Sequence, residues 1–148
     1  MKWAAGDYVV TDCRNDLDIE MIFDFLGGIS YWATGISKEV VTKSIEHSVC
    51  FGVFEGEQQV GFGRVVTDRA TFAYLADVFI LESHRGRGLG KWLVECILAH
   101  PELQDLRRWL LATADAHQLY AQYGFASLSS PERFMEKSNP DIYRQRTQ

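Results

Sequence analysis

The stretch from residue 72 to residue 98 constrains the fold more than any other part of this chain. It begins with an apolar strand, Phe72–Leu81, in which Asp77 is the one charged residue before the terminal turn. Three glycines at alternate positions then lead into apolar residues at helical spacing; they are Gly86, Gly88 and Gly90. Glycine lets the backbone turn sharply and lets a ligand come close. The pattern predicts a strand, a glycine-rich turn and an amphipathic helix, with a ligand site at the turn.

The turn carries positive charge in a chain that is acidic as a whole. The 148 residues include 15 Lys and Arg against 20 Asp and Glu, a formal net charge of −5. Three basic residues lie in the turn or at the start of the helix, namely Arg85, Arg87 and Lys91. The first N–H groups of a helix lack intrahelical partners, and its dipole favours an anion there. These features predict a pyrophosphate cradle; the alternative is a glycine-rich turn with solvated arginines.

Two common phosphate-binding patterns are excluded by the glycine spacing. The dinucleotide fingerprint needs its third glycine three residues after the second, whereas Gly90 follows Gly88 by two. The P-loop needs glycine at position 85 and Ser or Thr at position 92, which are Arg and Trp in this chain. Neither a Rossmann site nor a P-loop is therefore predicted.

The rest of the chain alternates strand-like and helical periodicity, with no linker and no repeat. Strands are predicted at Tyr8–Cys13, Val49–Glu55, Gln59–Thr67, Trp109–Ala112, Phe125–Leu128 and Phe134–Glu136. Helices are predicted over Leu17–Ile29, from Ser37 to Ile45, and over Ala116–Tyr123. The order β, α, α, β, β, β, α, β, α, β, β favours a mixed α/β sheet over a strict βαβ repeat.

Length, cysteines and charge exclude several classes of protein. The length fits one domain spanning residues 1–148. Cys13, Cys50 and Cys96 are widely spaced and have no histidine at metal-ligand spacing, so we expect neither a disulfide framework nor a metal site. No signal core or membrane-spanning run is present, which favours the cytoplasm and no membrane partner. The acidic balance argues against nucleic acid as a partner.

Three segments resemble the GNAT superfamily of N-acetyltransferases, and they follow one another along the chain in the order that the family has. Arg85-Gly86-Arg87-Gly88-Leu89-Gly90 matches the (Gln/Arg)-x-x-Gly-x-(Gly/Ala) signature with which that family binds the pyrophosphate of acetyl-CoA. Leu75–Ile80 looks like the family's fourth strand, and Leu119–Phe125 resembles its Tyr-x-x-x-Gly-Phe segment. The resemblance implies the GNAT (acyl-CoA N-acyltransferase) fold, a mixed and mostly antiparallel sheet with a splayed parallel pair and flanking helices. It also implies acetyl-CoA as co-substrate, with no metal.

The resemblance assigns a group of residues to acetyl-CoA. In the family the fourth strand bulges, its freed backbone groups pair with the pantetheine arm, and a backbone N–H polarises the thioester carbonyl. Fixed dipoles aimed at developing charge act as an oxyanion hole. The implied cofactor-binding residues are Val78, Phe79, Ile80, Arg85, Gly86, Arg87, Gly88, Leu89, Gly90 and Lys91. Strand side chains such as Phe79 are also expected in the core, because main-chain contacts do not restrict them.

Two residues are implied to be catalytic. Tyr120 falls where many family members place a tyrosine that protonates the departing thiolate, and a phenol is a suitable donor; the alternative is packing on an apolar helix face. Some members have an acidic residue at the position of Asp77, which would act as the base, directly or through water, or would bind the substrate ammonium. The alternatives for Asp77 are a side chain that points outward or one that pairs with an Arg or His.

The implied acceptor pocket lies between the first two helices. Tyr31 and Trp32 occupy a segment that commonly walls this pocket in the family, and an aromatic wall with acidic neighbours suits a cationic amine. The alternative for Trp32 is a place in the core. The expected reaction is acetyl transfer from acetyl-CoA to a primary amine of a small molecule or peptide, by direct attack in a ternary complex. The alternative is a non-catalytic acyl-CoA-binding sensor. A homodimer is compatible with the resemblance.

Overall fold

Six strands form one sheet in the computed structural model, which describes residues 1–146. They are β1 (Lys2–Ala5), β2 (Tyr8–Thr11), β3 (Val49–Glu55), β4 (Gln58–Thr67), β5 (Phe72–Ile80) and β6 (Arg108–Leu111). Their order in the sheet is their order along the chain. Every neighbouring pair is antiparallel except β5 and β6, which are parallel. The expected α/β class, with a mixed and mostly antiparallel sheet, is confirmed.

Helices flank this sheet on both faces. Those described are α1 (Ile19–Asp24), α2 (Lys38–Glu46), α3 (Leu89–Leu98), α4 (His117–Ala121) and α5 (Ile142–Arg146). The Asp18 side chain caps α1 by accepting from an amide of its first turn, and Ser37 caps α2 in the same way. A π-helical turn, Phe25–Ile29, continues α1. Within residues 1–146 no helix is both long and apolar enough to cross a membrane.

Each face of the sheet buries an apolar cluster. Side chains of α3 and Tyr120 of α4 pack with Phe51 and Val53 of β3 on one face. On the other face α1 and α2 pack against Phe62 of β4 and Phe79 of β5. Full burial of a side chain of this size contributes about 1.5–3 kcal/mol. The two clusters hold β5, the central strand of the predicted site, from both sides.

Two expectations at the ends of the chain are wrong. The strand β1 was not predicted from the sequence. It forms a hairpin with β2 through a turn at Gly6, where φ is 58°. Neither Phe125–Leu128 nor Phe134–Glu136 forms a strand, and in the described residues the sheet ends at β6. Their aromatic side chains pack on the edge instead: Phe134 lies 4.9 Å from the Arg108 guanidinium, and Phe125 meets Trp109 edge-on. Packing partly covers these rings without backbone pairing.

Close packing between β4 and β5 leaves no room for a side chain at Gly61. A Cβ there would lie 2.6 Å from Ile80 Cδ1 and 3.1 Å from the Phe79 carbonyl oxygen. We expect Gly61→Ala to lower the free energy of unfolding by roughly 1–3 kcal/mol through overpacking. The measurement is urea denaturation, with Gly28→Ala as control because a Cβ at Gly28 meets nothing within 4 Å. Equal stability of the two variants would contradict this close packing of β4 against β5.

Candidate active site

A β-bulge interrupts the pairing of β4 with β5. On one side of it Arg64 pairs with Ala76, and on the other Phe62 pairs with Phe79. Asp77 is the extra residue, and its φ of 56° lies in the left-handed region. Bulges with a left-handed first residue usually carry glycine there, because a side chain is strained in this conformation. The strand therefore carries the Asp77 carboxylate at a position where glycine is preferred.

The bulge reverses the side-chain alternation of β5. Before it, Ala73 and Leu75 face the cluster beneath α3, whereas beyond it Val78 and Ile80 do. One inserted residue produces this change, because successive strand residues point to opposite faces. Phe79 consequently faces the other cluster, where it stacks on the Phe25 ring at a centroid distance of 3.8 Å.

Beyond the start of β5, a gap opens between β5 and β6. Their register ends at Leu75 and Leu111, while β5 continues to Ile80. The amide of Leu81 donates to a carbonyl of β4 at 2.8 Å. Because N–H groups alternate in direction along a strand, Val78 and Ile80 direct theirs away from β4 and into the gap. Backbone donors thus line one wall of the gap, with no strand of the described chain opposite them.

A loop of residues 85–91, here called the glycine loop, joins this wall to α3. Gly88 is the N-terminal cap of α3, and φ is 77° there and 80° at Gly86. A Cβ at Gly88 would meet nothing within 4 Å, so this residue borders open space. Within the described residues, the N–H groups of Leu89, Gly90 and Lys91 find no acceptor. The backbone has the form expected of an anion cradle.

The two arginines of the glycine loop are engaged by protein groups. Arg85 Nε donates to the Ile80 carbonyl at 3.0 Å. Arg87 Nη1 donates to the Tyr8 hydroxyl at 2.6 Å and lies 3.7 Å from Glu55 Oε2. The Tyr8 hydroxyl lowers the pKa of Glu55 and raises the pKa of Arg87, so both side chains are charged at neutral pH. The donors of the glycine loop without protein partners are therefore backbone amides first.

Tyr120 lies at the buried end of α4, facing the sheet. Its side chain is 8% exposed and packs edge-on against the Phe125 ring at 5.9 Å. Burial raises the pKa of Tyr120 to about 12, with smaller contributions from Tyr31 and Asp115. Tyr120 stays protonated across the neutral range.

A strap of residues 30–35 crosses from one side of the gap to the other. Trp32 Nε1 donates to Asp77 Oδ1 on β5 at 2.8 Å. The Tyr31 hydroxyl accepts from the Ala114 amide, just after β6, at 3.1 Å. The two rings meet edge-on at 5.0 Å and stay open to solvent, Tyr31 at 63% and Trp32 at 39%. The structure therefore brings the predicted acceptor residues to the mouth of the gap, and Trp32 is not a core residue.

Sequence reasoning missed Arg64 of β4 as a site residue. Its Nε donates to Asp77 Oδ2 at 2.8 Å, and its Nη1 donates to the Ser48 hydroxyl at 3.2 Å. This pairing is one of the alternatives that the sequence left open for Asp77. A signal was present, because Arg64 is the one charged residue between Val60 and Val66, in the strand that precedes the one carrying Asp77.

Other reactive side chains lie outside this arrangement. Among residues 1–146, no three His, Cys, Asp or Glu side chains are placed to hold a metal ion. Burial raises the pKa of the Cys50 thiol to about 12 and that of the Cys96 thiol to about 11. Both are protonated at neutral pH, and a thiol is a far weaker nucleophile than a thiolate.

Comparisons with known proteins agree with this geometry. A sequence model of the acetyltransferase (GNAT) domain matches residues 46–127, a range that includes β4, β5, the glycine loop and Tyr120. A candidate acetyltransferase of Gibberella zeae is 30% identical over 143 aligned residues, covering 82% of this chain and 80% of the relative.

Solved structures share the whole fold. A candidate GNAT acetyltransferase of Xanthomonas campestris pv. campestris is 46% identical, with a TM-score of 0.92 over 95% of this chain and 99% of that one. A candidate acetyltransferase of Clostridium acetobutylicum, solved with acetyl-CoA, has a TM-score of 0.63 over 88% of this chain and 94% of that one. At 14% identity the latter likeness concerns the fold alone. From the matched domain and the 30% identical relative, this chain belongs to the GNAT family of acetyltransferases.

Proposed function

We propose that this protein transfers the acetyl group of acetyl-CoA to a primary amine of a small molecule or peptide, by direct attack within a ternary complex. The observation that carries the proposal is two neighbouring groups of backbone donors without protein acceptors. One group is the amides of Val78 and Ile80 in the gap, and the other is the amides at the start of α3. Family membership makes acetyl-CoA the expected donor substrate.

The chemistry of these donors fits the two ends of acetyl-CoA. Residues Leu89–Lys91 offer amides at the positive end of a helix dipole, which suits a diphosphate. The unpaired side of β5 offers a strand backbone, which suits an extended arm that carries amide groups. An occupant with both features would fill the place of a missing strand between β5 and β6.

Acetyl transfer needs a polarised carbonyl, a proton for the leaving sulfur and a neutral amine. The amine lone pair forms a C–N bond with the carbonyl carbon. The C–S bond then breaks, and the sulfur leaves with the electron pair of the C–S bond. The amides of Val78 and Ile80 would stabilise the negative charge that develops on the carbonyl oxygen. Tyr120 would give its hydroxyl proton to the sulfur, and the attacking nitrogen would lose a proton to water or to Asp77. The protonated state of Cys50 and Cys96 favours this direct route over an acyl-cysteine.

The mouth of the gap favours a cationic amine as acceptor. The exposed rings of Tyr31 and Trp32 offer faces on which an ammonium or an apolar chain can lie. Asp77 places a negative charge beside them, and each carboxylate oxygen has a second lone pair. Asp77 can therefore contact an ammonium without releasing Arg64 or Trp32.

Release of free thiol from acetyl-CoA, measured across a panel of primary amines, tests the proposal directly. The panel contains polyamines, amino sugars and peptides with a free amino group. An enzyme releases CoA in step with acetylated amine for at least one of them. Acetyl-CoA binding by calorimetry without thiol release for any amine would instead support the acyl-CoA sensor.

Replacement of Gly88 tests the cradle. A leucine side chain there would extend into the open space before α3 and cover its free amides, which removes two or three charge-assisted hydrogen bonds. We expect Gly88→Leu to raise the dissociation constant of acetyl-CoA by roughly 100-fold or more while the chain stays folded.

The matched control is Gly56→Leu. Gly56 has a φ of 60°, and a Cβ there also meets nothing within 4 Å, so this variant carries the same backbone strain in the turn between β3 and β4. Calorimetric titration of both variants separates strain from occupation of the cradle. Equal affinity of the two would remove the glycine loop from the binding site.

Removal of one hydroxyl tests the role of Tyr120. We expect Tyr120→Phe to lower kcat by roughly 100-fold, because the sulfur would leave without its proton donor. The dissociation constant of acetyl-CoA should change by less than about 3-fold, since the ring is kept. Tyr123→Phe is the control, because the Tyr123 hydroxyl donates to Glu95 of α3 at 2.8 Å. Comparable kcat values for the two variants would exclude Tyr120 from the chemistry.

The raised pKa of Tyr120 has a consequence for the pH dependence of the reaction. Tyr120 donates only while protonated, so its contribution is complete below its pKa and is lost as the pH rises through about 12. A free tyrosine would lose half of this contribution near about pH 10. We expect kcat at saturating substrates to stay level from neutral pH to about pH 10. A fall in that range that is absent from Tyr120→Phe would contradict the raised pKa of Tyr120.

A further inference from the structure

Asp77 holds a conformation that its own side chain disfavours. Asp enters the left-handed region mainly when its side chain hydrogen-bonds to its own local backbone, whereas the Asp77 carboxylate bonds to residues 13 and 45 positions away. Backbone strain of this kind persists only where the surroundings determine the conformation. Asp77 has a φ of 56° inside a strand, and its side chain is 12% exposed. The residues that hold this carboxylate therefore also hold the bulge.

Two donors from different elements meet at the Asp77 carboxylate, and one of them is held in turn by a third residue. Arg64 Nε of β4 donates to Oδ2, and Trp32 Nε1 of the strap donates to Oδ1, each at 2.8 Å. Arg64 is 18% exposed, and its Nη1 donates to the Ser48 hydroxyl at 3.2 Å. One planar guanidinium thus ties Asp77 to Ser48, which precedes β3. A lysine ammonium could not reach both groups in the same geometry.

The bulge decides which amides reach the gap. Without the extra residue the alternation of β5 would stay in phase, and Val78 and Ile80 would exchange orientation with Phe79. We propose that Arg64 and Trp32 are positioning residues, which act through Asp77 to hold the amides of Val78 and Ile80 against the thioester carbonyl. This inference rests on the proposed function, and neither residue needs to touch acetyl-CoA.

The polarisation of the bound thioester carbonyl reports on these amides directly. Hydrogen bonding lowers the carbonyl stretching frequency, so infrared difference spectra of protein with acetyl-CoA labelled with ¹³C at the carbonyl measure it without any amine. We expect Arg64→Met to lose roughly half or more of the wild-type frequency shift. Its kcat should fall by roughly 100-fold, as for a small misplacement of catalytic groups, and the dissociation constant should change by less than about 3-fold.

Arg69→Met is the matched control. Arg69 lies in the turn after β4 and pairs with Glu102 at 3.0 Å, but it is exposed and makes no contact with Asp77. This variant should keep the wild-type frequency shift and kcat. The frequency shift of Arg64→Lys should lie between those of wild type and Arg64→Met. Lysine restores the positive charge but not the planar guanidinium that donates to both Asp77 and Ser48.

Trp32→Phe keeps the test decisive if Arg64→Met does not fold. Trp32 is 39% exposed, so its replacement leaves the core intact while removing the other donor to Asp77. We expect a smaller loss of frequency shift in the same direction. An unchanged carbonyl frequency in both Arg64→Met and Trp32→Phe, or in Trp32→Phe alone if Arg64→Met is unfolded, overturns the inference. A wild-type protein that does not bind acetyl-CoA overturns the proposed function instead, so the two failures are distinct.

Discussion

Backbone N–H groups need hydrogen-bond acceptors, and this fold leaves several N–H groups beside the gap without acceptors in the protein. Strand β5 is paired with β4 along its length, but with β6 only as far as Leu75. Beyond β5, the chain turns through Gly88 into α3, whose first amides are equally free. Water can accept from these donors while the gap is open, and an occupant that displaces the water must supply acceptors of its own. The other parts of the candidate site are placed around these donors.

The sequence was most informative where backbone conformation depends on residue type. Gly86 and Gly88 were predicted at a sharp turn, and both have the left-handed φ that glycine allows. Ser37 was predicted to start a helix, and its side chain caps α2. Such signals are local, because one residue and its neighbours determine them. The strand and helix periodicity around them is local in the same sense, which is why most of the sheet could be predicted.

The remaining features depend on contacts between distant residues. Phe134 has a strand-like sequence context, yet its ring lies over the Arg108 guanidinium and no strand pairs there. Arg64 becomes a site residue only because the β4–β5 register places it near Asp77. Arg87 donates to the hydroxyl of Tyr8, which is 79 positions away in sequence. A single sequence does not reveal register or long-range pairing, so these contacts could not be predicted.

Asp77 connects the two sides of the candidate site. It belongs to the bulge that aims the amides of β5, and through Trp32 it is joined to the strap at the acceptor side. The strap is joined in turn to the far side of the gap by the Tyr31 hydroxyl and the Ala114 amide. An acceptor that displaced the Trp32 ring would therefore also loosen the hold on the bulge. In the proposed reaction, acceptors that leave this contact in place keep the carbonyl polarised, so the strap would select among amines by their effect on kcat as well as on binding.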